Sequence, residues 1–223
     1  MNQETRPWAL VPVKRFARAK ARLAGLLDVQ EREQLARIML EDVLTSLRKL
    51  EALTGILVVT GDDNAKEIAN AHGACLVDDS LENGPNAAIR LALPVLREAG
   101  ADAMIVVPAD VPHLDADELL PIIRTLSGQS IALVCAARDG GTNLFGCSPV
   151  DLIEPCFGAD SFARHIDAAN RASIEPRVFT CSSLAYDIDR PQDVLEFGTS
   201  LMTRTGAYLA HVLKRSALAA TAQ

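Results

Sequence analysis

Seven short apolar runs, each followed by a stretch of different periodicity, leave this chain few ways to fold. The runs are 9–13, 55–60, 74–77, 103–107, 130–136, 143–148 and 177–181, and helical patterns fill most of the gaps between them. Strands that alternate with helices bury themselves as a mainly parallel central sheet flanked by helices, so the fold class is read as α/β. In the first long helix Leu40, Val43, Leu44, Leu47 and Leu50 recur at helical spacing and face the sheet, while Arg37, Glu41, Arg48 and Lys49 face water. A second helix is expected from Asn86 to about Glu98, closed by Gly100, and a third over 115–126 with Asp115 as its N-cap.

Length and composition set the limits of that reading. A chain of 223 residues that is 49% hydrophobic can bury one large core. We therefore expect one domain over 1–200 and a helical tail over 201–223, whose apolar face would suit packing or a homodimer. No apolar run approaches the roughly 20 residues of a membrane span, and the first residues lack the charge and hydropathy pattern of a leader. The expectation is a cytoplasmic protein that does not bind membranes. Five cysteines, at 75, 135, 147, 156 and 181, form no C-x-x-C pair and mostly sit in apolar segments, so they read as buried, reduced thiols. A net charge of -7 with nine aromatic residues argues against nucleic-acid binding.

Against that acidic background, residues 14–22 carry Lys14, Arg15, Arg18, Lys20 and Arg22 and no acid. The cluster directly follows the first apolar run. Open α/β sheets take their ligands outside the carboxyl ends of strands, so a local cation cluster there suits a triphosphate. A solvated basic loop is the plain alternative. The expected helical stretch after it would add amide donors. The chain has neither G-x-x-x-x-G-K-[ST] nor G-x-G-x-x-G, which argues against a P-loop enzyme and a dinucleotide-binding dehydrogenase.

Carboxylates stand at two further strand ends. Asp110, in Pro108-Ala109-Asp110-Val111-Pro112, is fixed between prolines just past an apolar strand, and reads as a metal ligand. Magnesium on a triphosphate takes one or two protein carboxylates, so a single placed Asp suffices. Asp187 and Asp189 precede Pro191 near the last strand and are the other candidate ligands, although helix capping explains the bare pattern equally well. Glycine-bearing turns lie at 83–86, 139–143 and 157–161. Asn86 offers an amide either for a nucleotide or for capping, and Thr142 and Ser161 offer hydroxyls to a small anion. The four histidines show no metal spacing and no nucleophile-elbow partner; His113 and His165 are the two placed to line a site, neither as a catalyst.

Together, 11–14 with 19–23, 84–88, 108–112, 157–162 and 187–189 occur in the order of one family, over about residues 8–198. The chain resembles the 2-phospho-L-lactate / phosphoenolpyruvate / 3-phosphoglycerate guanylyltransferases of deazaflavin coenzyme F-420 biosynthesis. That resemblance implies a nucleotide-diphospho-sugar-transferase-like fold, with GTP and Mg2+ required. It also implies GMP transfer onto a phosphorylated three-carbon acid with loss of pyrophosphate. Carried over by position, Lys14, Lys20 and Arg22 would hold the triphosphate, and Asn86 the nucleotide. Asp110, Asp187 and Asp189 would hold the metal, with Lys20 and Asp110 at the reaction centre. Thr142, Gly158 and Ser161 would hold the acceptor. Pro85 departs from the leucine common at that place and stiffens the loop. Two rivals remain at this point, a molybdopterin nucleotidyltransferase on the same fold and a GTP-binding protein without turnover.

Overall fold

The protein is represented by a computed structural model that describes residues 5–198 and 202–221. In chain order the elements are β1 (Pro7–Val13), α1 (Val29–Leu47), β2 (Gly55–Thr60), α2 (Asp63–Ala71), β3 (Cys75–Asp78), α3 (Pro85–Glu98) and β4 (Ala103–Val106). There follow α4 (Ala116–Arg124), β5 (Ser130–Cys135), β6 (Thr142–Ser148), α5 (Ser161–Arg171), β7 (Arg177–Phe179), the single turn α6 (Pro191–Asp193) and α7 (Arg204–Thr221). All seven expected strands form, with ends displaced by at most two residues.

The strands make one sheet in the order β3-β2-β1-β4-β6-β5-β7. Every pairing is parallel except those of β6, which runs antiparallel to both β4 and β5. The reason is local. β5 and β6 are joined by a tight connection in which Ala136 N–H bonds Gly141 C=O at 2.9 Å and Gly140 takes φ +68°, and a hairpin cannot join parallel strands.

Alternation along the strands sorts the core into two layers. Ala9, Val11, Val58 and Ile105 face one side, where Leu35, Leu40, Val43 and Leu44 of α1 pack with Ile68 of α2 and Ile122 of α4. Trp8, Leu10, Leu57, Met104 and Phe145 face the other, against Ile89, Ala92 and Leu96 of α3 and Ala169 of α5.

Helix ends follow the expected chemistry. Asp28 and Glu31 form a reciprocal capping box that starts α1, and Asp115 caps α4 by accepting from Asp117 N–H at 2.9 Å. Gly100 ends α3 with φ +67°. Helix α7 is joined to α1 by the buried Asp42 carboxylate, which accepts from the Thr205 N–H at 2.8 Å and the Thr205 hydroxyl at 2.7 Å. Leu209 and Val212 complete that contact within the main core. Residues 201, 222 and 223 of the expected tail lie outside the described residues. Among the described residues no helix is long and apolar enough to cross a membrane.

One expectation needs correction. All five cysteines are free, but they are not uniformly buried: Cys147 and Cys181 are buried, Cys135 and Cys156 are half-buried, and Cys75 is exposed on the edge strand β3.

The chain leaves β1 toward β2 and β3, then crosses back to place β4 on the opposite side of β1. Loops therefore diverge at the carboxyl ends of β1 and β4, the place where open α/β sheets form a ligand crevice.

Candidate active site

Beyond β1 the basic segment does not enter a helix, as the sequence suggested. It folds as two short 3-10 turns, Phe16–Arg18 and Ala21–Leu23, and α1 starts only at Val29. Phe16 and Leu23 are buried in the main core, which holds the segment down and leaves the intervening cations above it. Two acids pin its backbone. Glu82 accepts from Arg15 N–H at 2.6 Å, and Asp62 accepts from Phe16 N–H at 2.9 Å while also capping α2. Lys20 sits between the turns in the left-handed region, at φ 55°, an uncommon conformation for a residue other than glycine.

That conformation delivers the Lys20 ammonium to the acids. Its Nζ lies 2.7 Å from Asp110 and 3.8 Å from Asp189, and its side chain is 7% exposed. Arg22 meets Asp189 at 2.6 Å from the solvent side. The two acid-bearing loops are tied together by Ile188 N–H on the Asp110 carbonyl at 3.0 Å. Asp193 fixes the second loop by accepting from Asp189 N–H at 2.9 Å and Arg190 N–H at 2.6 Å. Asp187 completes the acidic group. Burial, and then the charge of Asp110, push its carboxyl up to about 6.

A cavity of 500 Å3 opens at this point, lined by Lys14, Lys20, Arg22, Pro108, Asp110, Phe157 and Asp189 among others. Arg15 and Arg18 are paired with Glu82, so among the described residues Lys14 is the cation of this segment that makes no ion pair. The acids carry more negative charge than Lys20 offsets, which suits a hard divalent cation. Among the described residues no three acidic, histidine or cysteine groups converge as a closed metal cage. A magnesium ion that keeps most of its waters and takes one or two carboxylates fits that donor set.

The opposite wall is held from within. Asn86 neither caps α3, whose N-cap is Gly84, nor turns its amide to the cavity. Its Nδ2 donates to Phe157 C=O at 2.9 Å and its Oδ1 accepts from Phe157 N–H at 2.8 Å. Thr142 and Ser161 are brought together, both buried, with the Ser161 hydroxyl on Thr142 Oγ1 at 3.1 Å. His165 Nδ1 lies 3.0 Å from that same oxygen.

The His165 ring accepts from Cys156 N–H at Nε2, at 2.8 Å, and burial lowers its pKa to about 4. The imidazole is therefore neutral, and its proton lies on Nδ1 and is donated to Thr142. Thr142 Oγ1 thus receives two donors and keeps its own proton for a further acceptor. His165 also stacks on Phe145, with centroids 4.7 Å apart, and meets Phe157 edge-on. Gly158 follows with φ 130°, a conformation that L side chains rarely adopt.

Of the residues expected at the site, Lys14, Lys20, Arg22, Asp110 and Asp189 line the 500 Å3 cavity. Asn86, Thr142, Gly158, Ser161 and Asp187 are not part of its lining, and neither are His113 and His165. Sequence reasoning passed over Asp62, Glu82 and Asp193, which hold the loops. Their only sequence signal is position: Asp62 and Glu82 follow strands at the same sheet edge as the cations.

Comparison with known proteins gives this geometry its relatives. The guanylyl transferase CofC-like family profile matches residues 8–218, which extends the family's reach past the residues 8–198 read from motifs and into α7. A phosphoenolpyruvate guanylyltransferase of Sphaerobacter thermophilus is 38% identical over 84% of this chain and 90% of its own length. A 3-phospho-D-glycerate guanylyltransferase of Phenylobacterium zucineum is 34% identical over 84% and 88%. Among solved structures, one from Desulfovibrio desulfuricans G20 assigned to the nucleotide-diphospho-sugar transferases superposes with a TM-score of 0.74. It covers 95% of this chain and 98% of that one at 18% identity, a likeness of fold.

Proposed function

The chain belongs to the CofC-like guanylyl transferase family, and on that premise we propose that it moves GMP from GTP onto a phosphorylated three-carbon acid, with release of pyrophosphate, in deazaflavin coenzyme F-420 biosynthesis. The acceptor is phosphoenolpyruvate, 2-phospho-L-lactate or 3-phospho-D-glycerate. The observation that carries the proposal is the buried Lys20 ammonium set between Asp110 and Asp189 at the mouth of the cavity.

In this reaction a phosphate oxygen of the acceptor bonds to the α-phosphorus of GTP, and the bond from that phosphorus to the bridging oxygen of pyrophosphate breaks. The attacking oxygen is already anionic, so no base is needed. This accounts for a cavity without a histidine or cysteine in its lining. What the site must supply is relief of repulsion between two polyanions, and it must supply it before the chemistry begins. Lys14, free of ion pairs among the described residues, and Arg22 hold the triphosphate, and Lys20 neutralises charge between the acids. Asp110 and Asp189, with Asp187 beside them, would hold magnesium, which would supply neutralising charge for the phosphate oxygens and the leaving pyrophosphate.

We assign the acceptor to the Phe157 side. Thr142 keeps a hydroxyl proton that its two incoming hydrogen bonds do not use, Ser161 opens α5, and Gly158, three residues earlier, is exposed with φ 130°. Asn86 contributes by fixing Phe157 rather than by touching the nucleotide. Pyrophosphate release from GTP and Mg2+ that depends on one of the three acids tests the assignment; release without an acid, or none with any, contradicts it.

A further inference from the structure

A second cavity of 180 Å3 opens beside the first and shares Pro12, Val13, Lys14, Arg18 and Pro85 with it. The phosphoryl chemistry leaves this cavity unused. Its own lining comprises Asp79, Glu82, Gly84 and Ala88, so apolar walls enclose two carboxylates. A nucleotide whose phosphates lie against Lys14 has its base within reach of this space, because Lys14 and Arg18 belong to both walls.

The two carboxylates are not equivalent. Glu82 is committed at both oxygens, to Arg15 N–H at 2.6 Å on one side and to Arg18 at 3.2 Å on the other. Asp79, just past the end of β3, is 8% exposed. Its Oδ1 accepts from Glu82 N–H at 3.1 Å, and among the described residues Oδ2 has no hydrogen-bond partner. That oxygen is not among the enclosed unpartnered side-chain atoms, so it is open to the cavity it lines and available to a donor that enters. Gly84 keeps the rim open: it takes φ +87°, and a Cβ there would meet no atom within 4 Å.

We propose that Asp79 is the residue that selects guanine, by accepting the N1–H and exocyclic N2–H donors of the base at Oδ2. The inference rests on the GTP reading above. A carboxylate is an acceptor without donors. Adenine and cytosine present ring-nitrogen lone pairs where guanine presents N1–H, so they face Asp79 with repulsion, and selectivity comes from rejection as much as from attraction.

The wild-type protein and the conservative variant Asp79→Asn test this together. Hypoxanthine lacks the N2 donor, so wild-type protein should bind GDP on the order of 10-fold more tightly than IDP, the worth of one good polar base contact. In Asp79→Asn the carbonyl oxygen can keep the Glu82 N–H, which turns the amide NH2 into the cavity. That donor opposes guanine and matches the 2-oxo group of xanthine. The GDP-to-XDP preference should therefore fall by on the order of 100-fold, with XDP binding tighter than in the wild type. Calorimetric titration of the diphosphates reads this without acceptor or turnover, so it is separate from any failure of the transfer assay. Equal wild-type affinity for GDP and IDP, or an unchanged GDP-to-XDP ratio in a folded Asp79→Asn protein, overturns the assignment.

Discussion

The Lys20 ammonium lies 2.7 Å from the Asp110 carboxylate, although 90 residues separate them in sequence. The pair joins the loop after β1 to the loop after β4 across the point where the sheet changes direction, and it sets charge balance and geometry together. Because Lys20 is held in a left-handed conformation by turns anchored on Phe16 and Leu23, its position is a property of the fold rather than of a flexible side chain.

Asp110→Asn keeps the size of the side chain and one hydrogen-bond acceptor while removing the charge. Turnover should fall on the order of 100-fold or more, as for loss of one strong transition-state contact. The thermal midpoint should stay within a few degrees of the wild type. Near-normal turnover in steady-state pyrophosphate release would remove Asp110 from the mechanism.

Glu82 acts on the nucleotide through the loop it holds. Glu82→Gln weakens the contacts to Arg15 and Arg18 without emptying the space. KM for GTP should rise roughly 10-fold with kcat changed far less, because a charged hydrogen bond of positioning value is lost. Equal losses in kcat and kcat/KM would instead put Glu82 at the reacting atoms.

His165 gives the fold an acid limit. Its folded pKa of about 4 lies below the ordinary 6.5, because burial disfavours the cation. The unfolded chain therefore binds the extra proton first. This contribution to stability is complete above pH 6.5 and is lost as pH falls toward 4, at up to about 1.4 kcal/mol per pH unit. Urea denaturation of wild type and His165→Gln across that window checks the sign. The variant should be weaker at pH 7 and flatter below it.

The junction of α7 with α1 is a separate stability element. Thr205→Val removes the hydroxyl that donates to buried Asp42 at 2.7 Å and leaves a carboxylate oxygen short of one donor. The cost should be about 1–3 kcal/mol, seen as a lower urea midpoint with an unchanged m-value. Turnover per folded molecule should be unaffected.

Much of this architecture is legible in the chain itself, because strand interiors such as 55–60 and 103–106 are apolar on both faces and cannot hide. The loop that carries Asp110 is legible for a related reason: prolines on both sides of a carboxylate at a strand end have few other uses. Other features depend on pairings that no local pattern encodes. Asn86 meets Phe157 across 71 residues, and Thr142 meets His165 across 23, so the partners that position these two side chains are written in no local pattern. Lysine is also a poor signal for a left-handed turn, so the conformation of Lys20 could not be foreseen. The antiparallel placement of β6 follows from a short hairpin that the apolar runs alone do not reveal.

The most direct test of the account is pyrophosphate release from GTP with Mg2+, run in parallel with phosphoenolpyruvate, 2-phospho-L-lactate and 3-phospho-D-glycerate, with ATP and CTP as nucleotide controls. Release should require GTP, the metal and one of the acids, and should collapse in Asp110→Asn. Silence with all three acids, or equal release from ATP and CTP, would contradict it.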